Sequence, residues 1–146
     1  SDIPTDGQVP QWNTGGTITW ENSNWQMASV GGGITATNYT IPYGMSTNPT
    51  ETAIDVYETS TPFSVREFHA EVNAAQGAGT SWTVTLRENA AATVKAVTIA
   101  GTATEADDNS DTESIAAGAT LTVEFLATGA VATTGNRTAS WQCYSD

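Results

Sequence analysis

The sequence predicts an all-β protein, an antiparallel sandwich entered through an extended N-terminal arm. Two stretches alternate apolar and polar residues: Trp82, Val84 and Leu86 against Thr83, Thr85 and Arg87, and Leu121, Val123 and Phe125 against Thr120, Thr122 and Glu124. Such alternation is the mark of a strand with one buried face. Thr and Val are abundant throughout, whereas helix-like spacing is weak and broken by glycine, a balance that favours strands. Residues 94–99 are apolar and β-rich. Before them Glu88-Asn89-Ala90-Ala91 fits a hairpin connection, since Asn tolerates the left-handed conformation. The centre of the chain is therefore an antiparallel β unit.

Taken in order, residues 1–11 are polar, contain Pro4, Gly7 and Pro10, and show no periodicity that could bury a face. Residues 1–16 are expected to form the arm, disordered in an isolated monomer or laid along a neighbour. Residues 17–146 are expected to form one sandwich domain, most clearly patterned over 62–146. Residues 17–20 read as a short strand and 21–24 as a turn. Beyond them Trp25, Met27 and Ser29 alternate with Gln26, Ala28 and Val30. Gly31, Gly32 and Gly33 break that pattern as a hinge or loop, and with no Lys-Ser or Lys-Thr pair after them they do not make a phosphate loop.

Residues 38–43 read as a short edge strand ended by Pro42, which cannot donate to a central ladder. Residues 53–57 read as a further edge pairing. Phe63 and Val65 share one face, but Phe68, Ala70 and Val72 join it only after a slip of one residue, which predicts a β-bulge at Arg66-Glu67. Residues 74–79 form a small-residue loop before the central unit. Residues 101–114 read as an acidic loop, 120–127 as a strand, and 138–144 as the last strand. About seven to nine short strands with turn signals between them argue for a β-sandwich, and the long connections suit a jelly roll better than a meander.

At 146 residues the chain fits one domain able to bury most of its apolar surface without metal or disulfide staples. Five Trp, four Tyr and three Phe supply large pieces for its core. Sixteen acidic residues face four cations, Arg66, Arg87, Lys95 and Arg137, for a net charge of −12. Nucleic acid needs cations to displace its counterions, so it is excluded as a partner, and anionic membranes are disfavoured for the same reason. The acidity fits a soluble surface protein, as in salty water where screening relaxes self-repulsion. Cys143 is the one cysteine. It shares a strand face with Trp141 and reads as a small buried hydrophobe. Residues 1–8 carry neither a basic run nor an apolar stretch, so no signal peptide or membrane span is expected in the given chain.

Candidate chemistry is sparse. Asp107, Asn109 and Asp111 alternate as oxygen ligands do in calcium loops, although the tight-turn glycine and flanking helices of such loops are missing. The competing reading is a solvated acidic loop. His69, the one histidine, lies in a strand and reads as an exposed or interface residue rather than a catalytic base. No pair of carboxylates is singled out for glycoside hydrolysis, so no catalytic residue and no cofactor are expected. Trp12, Trp20, Trp25, Tyr39 and Tyr43 gather in the N-terminal third. They suit core packing, subunit contact or a face that stacks on sugar rings.

The runs Thr83-Val84-Thr85-Leu86-Arg87-Glu88-Asn89-Ala90, Val97-Thr98-Ile99-Ala100-Gly101-Thr102 and Ala116-Ala117-Gly118-Ala119-Thr120-Leu121-Thr122-Val123 encode hairpins, not chemistry. With them the chain from about residue 63 to 144 resembles the jelly-roll virion proteins of tailed bacteriophages, which include capsid decoration (cement) proteins and fibre-head domains. Ala90 and Ala119 stand where that family carries the Gly of an Asn-Gly turn and the Asp of a Gly-Asp pair. The resemblance implies a homotrimer on the outer surface of an icosahedral head. It would clamp neighbouring copies of the major capsid protein, with Ile3, Pro4, Val9 and Trp12 of the arm as capsid or subunit contacts. The alternative is a carbohydrate- or receptor-binding module presenting the N-terminal aromatics to a glycan.

Overall fold

The computed structural model describes residues 8–12, 18–22, 24–32, 37–43, 48–51, 57–130 and 136–145. Its strands are β1 Gln8–Trp12, β2 Ile18–Asn22, β3 Asn24–Gly32, β4 Thr37–Thr40, β5 Tyr57–Glu58 and β6 Phe63–Val72. They continue as β7 Ser81–Glu88, β8 Ala91–Ala100, β9 Glu105–Asp108, β10 Glu113–Ile115, β11 Thr120–Thr128 and β12 Asn136–Ser145. The fold is an all-β sandwich of two antiparallel sheets. In the first, β3, β12 and β6 lie side by side, and β9 and β10 share the far edge of β6. In the second, β4 and β5 share one edge of β11, followed by β7 and β8. With each split edge taken as one position, chain order from β3 onward runs 1-8-3-6 in the first sheet and 2-7-4-5 in the second.

The two inner faces make one core. Met27, Phe68, Ala139 and Trp141 come from the first sheet and Trp82, Leu86, Leu121 and Phe125 from the second, all at most 1% exposed. Each large side chain so buried contributes about 1.5–3 kcal/mol. The alternation at 82–86 and 121–125 becomes adjacent strands, with Val84 opposite Phe125 and Leu86 opposite Val123. The slip at Arg66-Glu67 becomes a bulge. Trp141 pairs with Phe68 and Cys143 with Val65, so two residues of β6 face Gln142 alone. Phe63, Val65, Phe68, Ala70 and Val72 are all buried as a result.

Three expectations are corrected. Residues 8–12, assigned to the arm, pair with β2 in a two-stranded ribbon, Gln8 opposite Asn22 and Trp12 opposite Ile18. A two-stranded ribbon leaves each strand one open edge, which is where Pro10 can stand without costing a ladder bond. The remainder of the arm, including Ile3 and Pro4, lies outside the described residues. β3 does not stop at the glycines: Gly31 and Gly32 continue it, opposite Arg137 and Asn136. The acidic segment is also not all loop. Glu105–Asp108 and Glu113–Ile115 are short edge strands on β6, formed because β6 has an unfilled ladder edge there rather than because acids favour strands.

A second irregularity sets the polarity of the interior. In the β7–β8 hairpin, Arg87 pairs with Ala92 and Thr85 with Ala96, so residues 93–95 face Leu86 alone. The Thr93 hydroxyl donates to the Leu86 carbonyl at 2.8 Å and accepts from the Lys95 amide at 3.1 Å, closing the bulge. Lys95 therefore shares the inward phase of Val97 and Ile99, while Val94 is 56% exposed.

Candidate functional site

The sandwich is tied at both open edges by polar groups. At one, the buried Ser29 of β3 and Thr40 of β4 share a hydroxyl–hydroxyl bond, and Ser29 also donates to the Ile41 carbonyl at 3.0 Å. At the other, the fully buried Lys95 ammonium of β8 donates to the Arg66 carbonyl at 2.7 Å and to the Asp108 carbonyl at 3.4 Å, with an Asp108 carboxylate oxygen 3.6 Å away. Burial alone would raise the Asp108 pKa. The amide and hydroxyl of Ser110 together with the Lys95 charge outweigh it and hold the group below the usual carboxylate range.

A second cation is interior as well. Arg137, in β12, is buried with its guanidinium 3.9 Å from the Trp82 ring centre, and burial lowers its pKa. Two of the four cations thus leave the surface, and the exterior is more anionic than the net charge alone suggests. Cys143 is buried, which pushes its thiol up to about 12, in accord with a small core residue.

On the outer face of the second sheet, Arg87 organises a partly buried cluster. Its Nε donates to Glu51 at 3.0 Å and its Nη1 to Glu124 at 3.4 Å, while the Tyr39 hydroxyl donates to Glu124 at 2.8 Å and Thr122 donates to Glu51. Burial opposes the Arg87 charge, but the two carboxylates raise its pKa above the ordinary value. Burial and the Glu124 bond raise that of Tyr39. Tyr39 also exchanges backbone bonds of 2.8 and 3.1 Å with Asn48. The cluster clamps residues 48–51 over the sheet. Its two carboxylates are committed to structural donors, so they do not stand as a free acid and base.

The outer face of the first sheet holds a row that sequence reading missed. Ser140 of β12 lies opposite His69 of β6, and His69 opposite Asp107 of β9. His69 Nδ1 and Asp107 Oδ1 are 2.7 Å apart. A carboxylate only accepts, so the bonding proton sits on Nδ1. Ser, His and Asp follow the order of a hydrolase triad, but β12 and β6 are both flanked by strands here, and their amides serve the ladders rather than an oxyanion. His69 and Asp107 are also open to water, at 36% and 55% side-chain exposure. Only strand register could have revealed this row, because the three residues are far apart in the chain.

The proposed calcium ligands do not converge. Asp107 turns to His69, Asp111 accepts from the Ser110 hydroxyl at 3.3 Å, and among the described residues no three His, Cys, Asp or Glu side chains could share a metal ion. Of the five aromatics, Trp25 packs against the core with its ring 5.4 Å from Phe63, Tyr39 lies in the Arg87 cluster, and Tyr43 is 63% exposed with its hydroxyl on the Gln26 carbonyl. In the ribbon, Trp12 of β1 lies opposite Ile18, Trp20 of β2 opposite Pro10, and Val9 opposite Glu21. The side chains of that ribbon lie outside the described residues.

β8 ends the second sheet: among the described residues no strand pairs with its far side. Between residues 96–98 of this edge and residues 106–110 lies an open cleft of about 680 Å³. The cleft offers backbone hydrogen bonding on one wall and carboxylates on the other, an arrangement suited to binding an extended chain.

No known family model matches this chain, and no curated protein does.

Proposed function

We propose that the chain is a structural virion protein: a capsid decoration protein that binds the outer surface of an icosahedral phage head and stabilises it, as a homotrimer. In this reading the sandwich is of the jelly-roll type. One observation supports it above the rest, the nesting of the strand order. Position 1 pairs with 8, 2 with 7, 3 with 6 and 4 with 5, as happens when a long hairpin is rolled into two Greek keys. The protein would act by binding, adding buried area at the joints between shell subunits and so stabilising the assembled state over the dissociated one. The acidic exterior, sharpened by withdrawal of Lys95 and Arg137 into the interior, suits a surface-exposed shell component.

Two measurements test it together. Light scattering across a dilution series is expected to give a constant mass three times the 15.2 kDa chain. Capsids stripped of decoration are expected to co-sediment with the protein and to release their genome at a higher temperature when it is bound. A monomer that neither sediments with capsids nor changes their heat stability would overturn the reading, and saturable binding to a glycan would put the carbohydrate-binding alternative in its place.

A further inference from the structure

Edge strands are templates for pairing, and proteins usually guard them with an outward lysine, a proline or a covering loop. In β8 the guards are gathered at one end, where the strand bulges at residues 93–95, Lys95 points inward and the Val94 amide donates to a Glu113 carboxylate oxygen at 2.8 Å. Residues 96–100 beyond them carry no charge and no proline. The strand is ten residues long with no proline, and its one charged side chain, Lys95, is fully buried. Gly101 donates its amide to the Thr80 carbonyl at 2.8 Å. Backbone groups alternate sides along a strand, so Ala96 and Thr98 aim their N–H and C=O groups away from β7. Both residues are exposed and uncharged.

The facing wall has the opposite character. Asp107 and Asp108 line the cleft. Asp107 meets His69 and Asp108 meets the buried Lys95, and no arginine pairs with either among the described ion pairs. A strand seated on β8 would run beside this wall, and the side chains that complement it are basic.

We propose that the β8 edge and the acidic wall of β9 form a strand-binding groove that takes an extended, basic segment of a different protein by β-augmentation. A second copy of this chain is a poor occupant on charge. Its four cations are nowhere closer than eight positions apart, so no segment of it alternates basic residues, and two anionic surfaces would be brought together. For the source of the segment the proposal rests on the shell-protein reading, which makes a capsid subunit the supplier; the groove itself does not depend on it.

The probe is a fluorescein-labelled eight-residue peptide alternating lysine and threonine, followed by fluorescence anisotropy. Saturable binding is expected, weakening at least tenfold between low and high salt. It should be absent for the matching glutamate–threonine peptide and lost when the lysine peptide is N-methylated along one edge. Ala96→Pro removes one outward amide that the fold does not use. It should weaken binding at least tenfold with an unchanged melting temperature, and the N-methylated peptide tests the same bond without altering the protein. Equal binding of the acidic peptide, indifference to N-methylation, or dimerisation of the protein that Ala96→Pro abolishes would each overturn the proposal. Peptide binding without capsid binding would retain the groove and remove the shell.

Discussion

The Lys95 ammonium reaches across the sandwich to the carbonyl of Arg66, 2.7 Å away, at the bulge of β6. Each partner depends on an irregularity in its own strand. The extra residues at 93–95 turn Lys95 inward, and the bulge at Arg66-Glu67 loosens the ladder that would otherwise occupy that carbonyl. Two departures from regular pairing thus make one bond between sheets.

Lys95→Ala should be strongly destabilising, because it leaves Asp108 without its cation and opens a space under β8. A loss of about 3 kcal/mol or more is expected from breaking a buried pair. Lys95→Met keeps the packing of the stem and should lose less. Urea midpoints at neutral pH would rank the two, and equal losses would show that packing alone matters there.

Ala90→Gly should stabilise the protein. Asn89 and Ala90, the two residues of the β7–β8 turn, have φ of 51° and 62°. Asn tolerates this region, whereas Ala meets a steric penalty of about 1–2 kcal/mol that Gly avoids. The freer unfolded chain of the glycine variant returns part of that gain, leaving about 0.5–1 kcal/mol. A melting temperature that falls would contradict this account of the turn.

Acid should weaken the fold in part through Asp108. Its pKa is lower in the folded protein than in the unfolded chain, so its contribution is full above the ordinary carboxylate value of about 3.9 and disappears as pH falls through the lower folded value. Asp108→Asn should be less stable at neutral pH and lose less further stability on acidification. Parallel acid limbs for variant and wild type would assign the acid sensitivity to other groups.

Cys143 should be inert while the protein is folded. It is fully buried and its thiol is pushed up to about 12, which at mildly alkaline pH leaves about a thousandfold less thiolate than an ordinary cysteine has. A chromogenic disulfide reagent should modify it only after urea unfolding. Rapid modification in buffer would show that the β12 region opens readily.

The sandwich was legible wherever local pattern and tertiary burial agree. Trp82, Val84, Leu86, Leu121, Val123 and Phe125 point inward as their alternation predicts. Even the bulge at Arg66-Glu67 could be read, because Phe63, Val65, Phe68, Ala70 and Val72 fit one face in no other way. Lys95 was not legible. A lysine in an apolar run reads as a solvated residue until the pairing of β7 with β8 shows which phase it takes. The acidic strands were hidden for a related reason, since Glu105 and Asp107 have little strand preference and are held by the vacant edge of β6.

The side-chain clusters were harder still. Glu51 and Arg87, or His69 and Asp107, are joined by topology across dozens of residues, and no spacing rule announces such pairs. The acidic segment was visible as composition, but its position beside the edge strand β8, where Glu113 accepts the Val94 amide, was not.

The placement of β12 has a consequence for how the protein is made. Residues 136–145 are made after every other described strand, yet they form an inner strand of the first sheet, with β3 on one side and β6 on the other. Until they emerge, no described strand joins β3 to β6, and each lacks the ladder partner on the side that β12 takes. Completing the first sheet therefore waits for the last described strand to meet segments far back in the chain, a slow class of closure that leaves the half-made sheet exposed to aggregation.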